Sequence, residues 1–322
     1  MTEALLALWD GAFGSSYAIW SATLVRSAPL LLLGLGVALA FRAGVLNIGA
    51  EGQFLMGAIS ATAIAQSMGS MGGAVPRIVV IPMMALVGAL AGASWAGIAA
   101  WVRQRFGVLE VISTIMLNFI ALASISWMVR GPLQEPTRIY PQSAEIPGPA
   151  QWPFLIPGQR LHLGFVIGLL ACGIAWVVLT RTAIGFRIRA VGASRSAATS
   201  AGGIAVAGTV LRVFLVSGAC AGLAGAAEVG GVTWALYEGI SPGYGYTAIA
   251  VALLARLHPG WIIVSAIFFG ALEAGASAMQ RDAGIPSVVV QVIVALVILG
   301  VLAGSQRRVI AGAATLGAEA RR

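Results

Sequence analysis

From Tyr17 to Phe41 the chain carries a single charged side chain, Arg26, in an otherwise apolar run long enough to cross a bilayer. Comparable runs recur at 47–69, 78–101, 108–129, 161–180, 204–228, 261–280 and 286–304, with a shorter one at 244–256. None alternates polar and apolar residues with period two, as the strands of a membrane β-barrel would. Apolar residues make up 59% of the chain and charged residues only 9%, too little polar cover for a water-soluble surface. The expected fold class is all-α: a polytopic transmembrane helical bundle of about 8–10 spans. The run at 244–256 is too short to cross alone and starts among Pro242, Gly243 and Gly245, which points to a broken or re-entrant helix.

The 19 basic residues are all arginine, and their distribution sets the orientation. Loops after the odd-numbered spans carry Arg42, Arg103, Arg105, Arg181, Arg187, Arg189, Arg195, Arg256, Arg307 and Arg308. The opposite loops carry Arg77, Arg130, Arg138, Arg160 and Arg281. The first set is therefore cytoplasmic, with the N-terminus outside and the C-terminus inside. The expected organisation is an extracytoplasmic segment at 1–16, one transmembrane domain at 17–304 and a cytoplasmic tail at 305–322. MTEALLALWD lacks the basic start of a cleavable signal peptide. In a bundle of this kind the net charge of +8 serves orientation and does not call for nucleic acid. The longest outside loop, 131–160, is rich in proline and is expected to be irregular or short-helical.

Enzyme signatures are missing from the sequence: there is no Walker A, HExxH, CxxC or GxSxG motif. Cys172 and Cys220 lie within apolar runs and read as small core residues, and His162 and His258 sit at span edges. No metal site and no cofactor are expected in this chain. If transport is driven by ATP, another chain must bind the nucleotide.

The polar residues at membrane depth are then the informative ones. FRAGVLNIGAEGQFLMGA places Asn47, Glu51 and Gln53 at the cytoplasmic start of the second span. On a continuous helix Asn47 and Glu51 share a face and Gln53 points elsewhere. Two readings stand side by side: a cluster lining a pathway, or one tying helices together through freed backbone groups. Arg26 needs a partner, Glu51 or Glu273, or snorkels to the outer interface. Asn118, with Ser113 and Thr114, reads first as helix-bonding glue and second as a substrate contact. Trp234, Tyr237, Glu238, Tyr244 and Tyr246 suit an interfacial belt or a stacking surface for a flat ring. GFRIRAVGASRSAATSAGG, from Gly185 to Gly203, is either a solvated basic loop or a docking element. Its middle, Ser194 to Ala201, suits a short helix with Ser194 as N-cap.

Four blocks carry a family resemblance: GVLNIGAEGQFLMGA, VISTIMLNFIA, RAVGASRSAATSAGG and SPGYGYTAIAVALLARLHPG. In this order they resemble permease subunits of bacterial nucleoside and simple-sugar ABC importers, within the branched-chain amino acid/ribose permease superfamily. The resemblance implies a second permease subunit, a cytoplasmic ATP-binding subunit and an extracytoplasmic solute-binding protein as partners, in the inner membrane. It puts Asn47, Glu51, Gln53, Asn118 and Tyr244 near the substrate pathway. It puts the ATPase-coupling segment at Gly192 to Gly202, with Ser194, Ala197 and Ala198 inside it. The family usually has Asn where Ser194 stands and Arg where Thr199 stands, and many relatives begin with a further span upstream. The competing reading is a self-sufficient ion-coupled secondary transporter or channel built on Glu51, Glu273 or Arg26.

Overall fold

The structure is a computed structural model and describes residues 2–70 and 75–286, with 288, 289, 292 and 295. The run at 286–304 and the tail at 305–322 lie almost wholly outside the described residues.

The all-α expectation holds. The helices are α1 (Thr2–Phe13), α2 (Leu24–Arg42), α3 (Ala50–Ser70), α4 (Arg77–Phe106), α5 (Glu110–Val129), α6 (Leu163–Arg181), α7 (Ala183–Ala193), α8 (Arg195–Gly202), α9 (Val206–Glu228), α10 (Tyr244–Leu254) and α11 (Pro259–Asp282). A π-helical turn at Ala18–Thr23 leads into α2, and another at Val229–Thr233 extends α9. Six of these helical segments are long and apolar enough to cross a membrane: those built on α2, α4, α5, α6, α9 and α11. α10 has only 11 residues, the short helix expected there.

Burial separates the helices into a centre and a rim. α2 is enclosed along its length: Leu30, Leu31, Leu32 and Leu33 are all 0% exposed, so every face of that helix meets protein. α3 and α9 complete the centre. α4, α5 and α6 form the rim and turn Leu86, Leu90, Ile112, Phe119, Leu170 and Ile174 outward, as helices facing lipid tails do.

Small residues let the central helices approach closely. Gly222 of α9 meets both Gly57 of α3 and the carbonyl of Gly88 of α4, and one turn earlier Gly218 meets Gly92. A methyl group at Gly222 would overlap the Gly88 carbonyl. In lipid, where burial of apolar surface drives little, such backbone contact supplies the attraction between helices.

Two segments hold helices outside the expected spans. Residues 1–16, where no span was assigned, contain α1. It packs on α11, with Gly11 against Ala278 and Leu8 against Gly275. Its other face leaves Leu5, Leu6 and Trp9 exposed. The first half of the Gly185–Gly203 segment is no loop but helix α7. Thr182 caps it through Gly185 N–H at 3.3 Å, and Ile188 and Val191 are its buried stripe.

Loop 131–160 is ordered by its own polar groups. Glu135 accepts from Gln142 Nε2 at 2.9 Å, Thr137 Oγ1 at 2.8 Å and Tyr140 N–H at 3.1 Å. These donors, the Gln142 amide first among them, hold its carboxyl below the ordinary carboxylate value. The backbone of Ser143 and Ile146 then bonds to Leu236 and Trp234, fixing the loop over the chain that precedes α10.

Candidate functional site

Helix α3 does not begin where the apolar run begins. Gly44 adopts φ +69°, which ends α2, and Val45 to Ile48 are non-helical, so the first turn of α3 opens at Ala50. Asn47 therefore lies outside the helix and shares no helical face with Glu51. It folds back instead. Asn47 Nδ2 donates to Gln53 Oε1 and Gln53 Nε2 donates to Asn47 Oδ1, both at 3.0 Å, a reciprocal amide pair. Gln53, expected to point away, is Asn47's main partner. Asn47 also donates to Ser217 Oγ of α9 at 2.9 Å and accepts from Gly49 N–H at 3.0 Å.

The start of α3 exposes backbone N–H groups that no earlier turn can satisfy. Asn118 of α5 answers this from outside. Its Oδ1 accepts from Gly52 N–H at 2.9 Å and its Nδ2 donates to Ile48 O at 3.0 Å. The same amide lies 3.3 Å from the Tyr246 hydroxyl of α10. Asn118 is thus a cap supplied in trans, with no exposed surface.

Glu51 does for α10 what Asn118 does for α3. Its Oε2 accepts from Gly245 N–H, in the first turn of α10, at 2.7 Å. Ser241 Oγ accepts from Gly243 and Tyr244 N–H at 3.1 and 3.0 Å. Gly245 packs directly on Glu51, and a side chain there would collide with it. A carboxylate in the first turn of α3 therefore also sits at the start of α10, where both helix dipoles favour negative charge.

Asn47, Gln53, Asn118 and Glu51 are each at most 4% exposed, and none of the four lines the large cavity of the bundle. That cavity, about 690 Å³, lies toward the end bearing loop 131–160. Tyr244 does line it, and its ring meets Phe54 edge-on at 6.0 Å. The polar walls are Arg26, Arg160, Glu228, Glu273, Tyr237 and Tyr246. Arg26 donates to Ser277 Oγ at 3.2 Å, one turn beyond Glu273, and forms no ion pair within 4 Å among the described residues. Glu273 faces this cavity. Glu228, at the end of α9, went unnoticed in the sequence because it reads there as the boundary of an apolar run.

At the opposite end, Ser194 is the N-cap of α8, accepting from Ala197 N–H at 3.3 Å. Ala197 is exposed and Ala198 is 5% exposed, so one face of α8 points outward and the other is seated. Gly203 at φ +55° closes the helix in the left-handed conformation that glycine adopts freely. Gly192 belongs to α7, where it packs against the Arg42 carbonyl. Arg195 Nη2 donates to Gly44 O at 2.7 Å, joining α8 to the turn after α2.

Residues 19–316 match the family described as branched-chain amino acid transport system / permease component. The chain belongs to this family. The permease is 39% identical over 286 residues to a glucose ABC transporter permease of Haloferax volcanii, covering 86% of this chain and 74% of that one. It is 36% identical over 313 residues to a guanosine ABC transporter permease of Bacillus subtilis, covering 95% and 87%. It is 33% identical over 302 residues to a nucleoside ABC transporter permease of Lactococcus lactis, covering 90% and 80%. No solved structure matches it. The protein is a permease subunit of an ABC importer and crosses the membrane several times.

Both histidines of the permease cap helices. His162 Nδ1 accepts from Gly164 N–H and His258 Nδ1 from Gly260 N–H, each at 3.2 Å, opening α6 and α11. The shared His-x-Gly spacing is the signal that identifies them in the sequence.

Proposed function

We propose that this permease conducts nucleosides or related small polar solutes, ribose-like sugars included, through the cavity walled by Arg26, Glu228, Glu273, Tyr237 and Tyr244. The observation that carries this reading is the cavity's lining. Two carboxylates on different helices accept hydroxyl hydrogens, a guanidinium donates, and tyrosine rings offer flat apolar faces to a base or a sugar ring. The nucleoside, guanosine and glucose permeases among its relatives support the same solute class.

In this reading Asn47, Gln53, Asn118 and Glu51 do not touch solute. They hold the start of α3 and of α10, and α10 places Tyr244 in the pathway wall. The outward face of α8, from Ser194 through Ala197, receives a separate cytoplasmic ATP-binding subunit. A second permease subunit completes the pathway, and an extracytoplasmic binding protein delivers solute, in the inner membrane. The chain itself performs no chemistry.

Uptake of labelled nucleoside and labelled pentose, in cells holding the whole set of subunits, tests this. Glu228→Gln with Glu273→Gln should lower uptake by roughly tenfold or more, the scale of one lost charge-assisted hydrogen bond, at unchanged abundance of the chain. Unchanged uptake of both solutes would remove the cavity from the pathway.

A further inference from the structure

We propose that the permease binds an anionic phospholipid of the surrounding bilayer in a groove between α2, α6, α7 and α9 at its cytoplasmic end. The groove, about 440 Å³, is walled by Leu35, Leu39, Ile174, Val178, Val213 and Val216. It is apolar along its length and ends at Arg187 of α7 and Arg212 of α9. A smaller polar pocket of about 220 Å³ continues from that end, formed by Gly203, Ile204, Ala205 and Gly208. Arg187, Thr209 and Arg212 line both spaces, so the two are one path with two arginines at the join.

The site is shaped like a lipid. Its apolar part runs from Arg212 to Cys220, about 12 Å at the rise of an α-helix, and so follows the length of an acyl chain from the headgroup level inward. Ile174 and Val216 on its rim are 65% and 49% exposed, so the groove opens sideways toward the hydrocarbon. Neither lining contains an acidic residue, and neither arginine has an ion-pair partner within 4 Å among the described residues. Two unpaired guanidiniums at the cytoplasmic interface select a phosphate that bears net negative charge. A helix of a partner subunit, 10–12 Å across, has no counterpart in the small polar pocket. A free phosphate leaves the apolar slot unexplained. Arg212 lies six residues into α9, past the first turn, where a charge is costly unless something meets it.

The test uses the full chain, purified in mild detergent with its co-purifying subunits and analysed by native mass spectrometry after addition of phosphatidylglycerol or phosphatidylcholine. The intact permease should retain phosphatidylglycerol selectively. Arg187→Gln with Arg212→Gln should cut retention by roughly tenfold or more, given about one charge interaction lost per arginine. Val216→Trp, which fills the slot and leaves both arginines in place, should also release it. Arg181→Gln with Arg189→Gln, exposed cytoplasmic arginines outside both spaces, should retain it. Equal retention of the two lipids, or equal loss in both arginine pairs, would overturn the proposal. Displacement by inorganic phosphate with no effect of Val216→Trp would replace it with a free-anion site. Cross-linking of Ile174→Cys to a second permease subunit would replace it with a subunit interface.

Discussion

The Glu51 carboxylate accepts a hydrogen bond from Gly245 N–H at 2.7 Å, across 194 positions of sequence. One side chain thereby belongs to the first turn of one helix and closes the first turn of another. This explains a carboxylate beside so many apolar neighbours: its partner is an unsatisfied backbone donor that a short helix at membrane depth unavoidably creates.

Glu51→Ala should therefore behave differently from Glu51→Gln. The alanine leaves Gly245 N–H buried and unpaired, at a cost of about 1–3 kcal/mol, while glutamine keeps an acceptor oxygen in place. Thermal unfolding in detergent should show a lowered Tm for alanine and a smaller change for glutamine, with uptake following the same order. Equal loss in both variants would mean that the charge itself is required.

Removing Asn47 strands the Gln53 amide, whereas removing Gln53 leaves Asn47 with only Ser217 and Gly49. A double-mutant cycle of Asn47→Ala and Gln53→Ala should show a coupling of about 1 kcal/mol, with the double variant less damaged than the sum of the singles. Additive effects would show that each amide has a separate partner that matters more.

The crossing of α3, α4 and α9 rests on a missing side chain. Gly222→Ala should lower the yield of monodisperse protein on size-exclusion chromatography, and Gly222→Val should nearly abolish it, since the added carbons meet the Gly88 carbonyl and the Gly92 backbone nitrogen. Overpacking of this kind costs about 1–3 kcal/mol or more. Wild-type yield of the valine variant would contradict the close approach.

The order of loop 131–160 should depend on acid. The Glu135 carboxyl titrates below its ordinary value of 4.5 in the folded loop. Its ordering contribution is therefore complete above the unfolded value and is lost as pH falls through the lower, folded one. Protection of residues 135–143 from hydrogen exchange should fall over that acid window in the wild type. In Glu135→Gln, which cannot ionise, it should be lower at neutral pH and flat across the window.

Much of the fold was legible in the sequence because apolar length is a local quantity. The broken helix at Tyr244–Leu254 announced itself through Pro242 and Gly243, and the cap at Ser194 through the small polar residues after it. The polar site was harder. Periodicity carried a helix back through Asn47, whereas Gly44 releases the chain into an irregular turn, and that single difference moves Gln53 from the far face to Asn47's partner. Asn118 read as glue between helices, and it is glue, but its ends are the start of α3 and a tyrosine of α10, which spacing along one helix cannot reveal. α1 escaped notice because only one of its faces is buried and its partner, α11, lies at the far end of the chain. Glu228 escaped notice because a carboxylate at the end of an apolar run looks like a boundary until the π-helical turn at Val229–Thr233 carries the helix past it.

The hydrogen bond from Arg195 to Gly44 O joins α8 to the turn three residues before Asn47. Gly192 against the Arg42 carbonyl braces the same turn from α7. These elements are thus mechanically in series: α8, the Gly44 turn, the amide pair, the first turn of α3, and through Glu51 the broken helix α10. A displacement of α8 needs no long lever to reach Tyr244 in the cavity wall, because every joint between them is a single short contact.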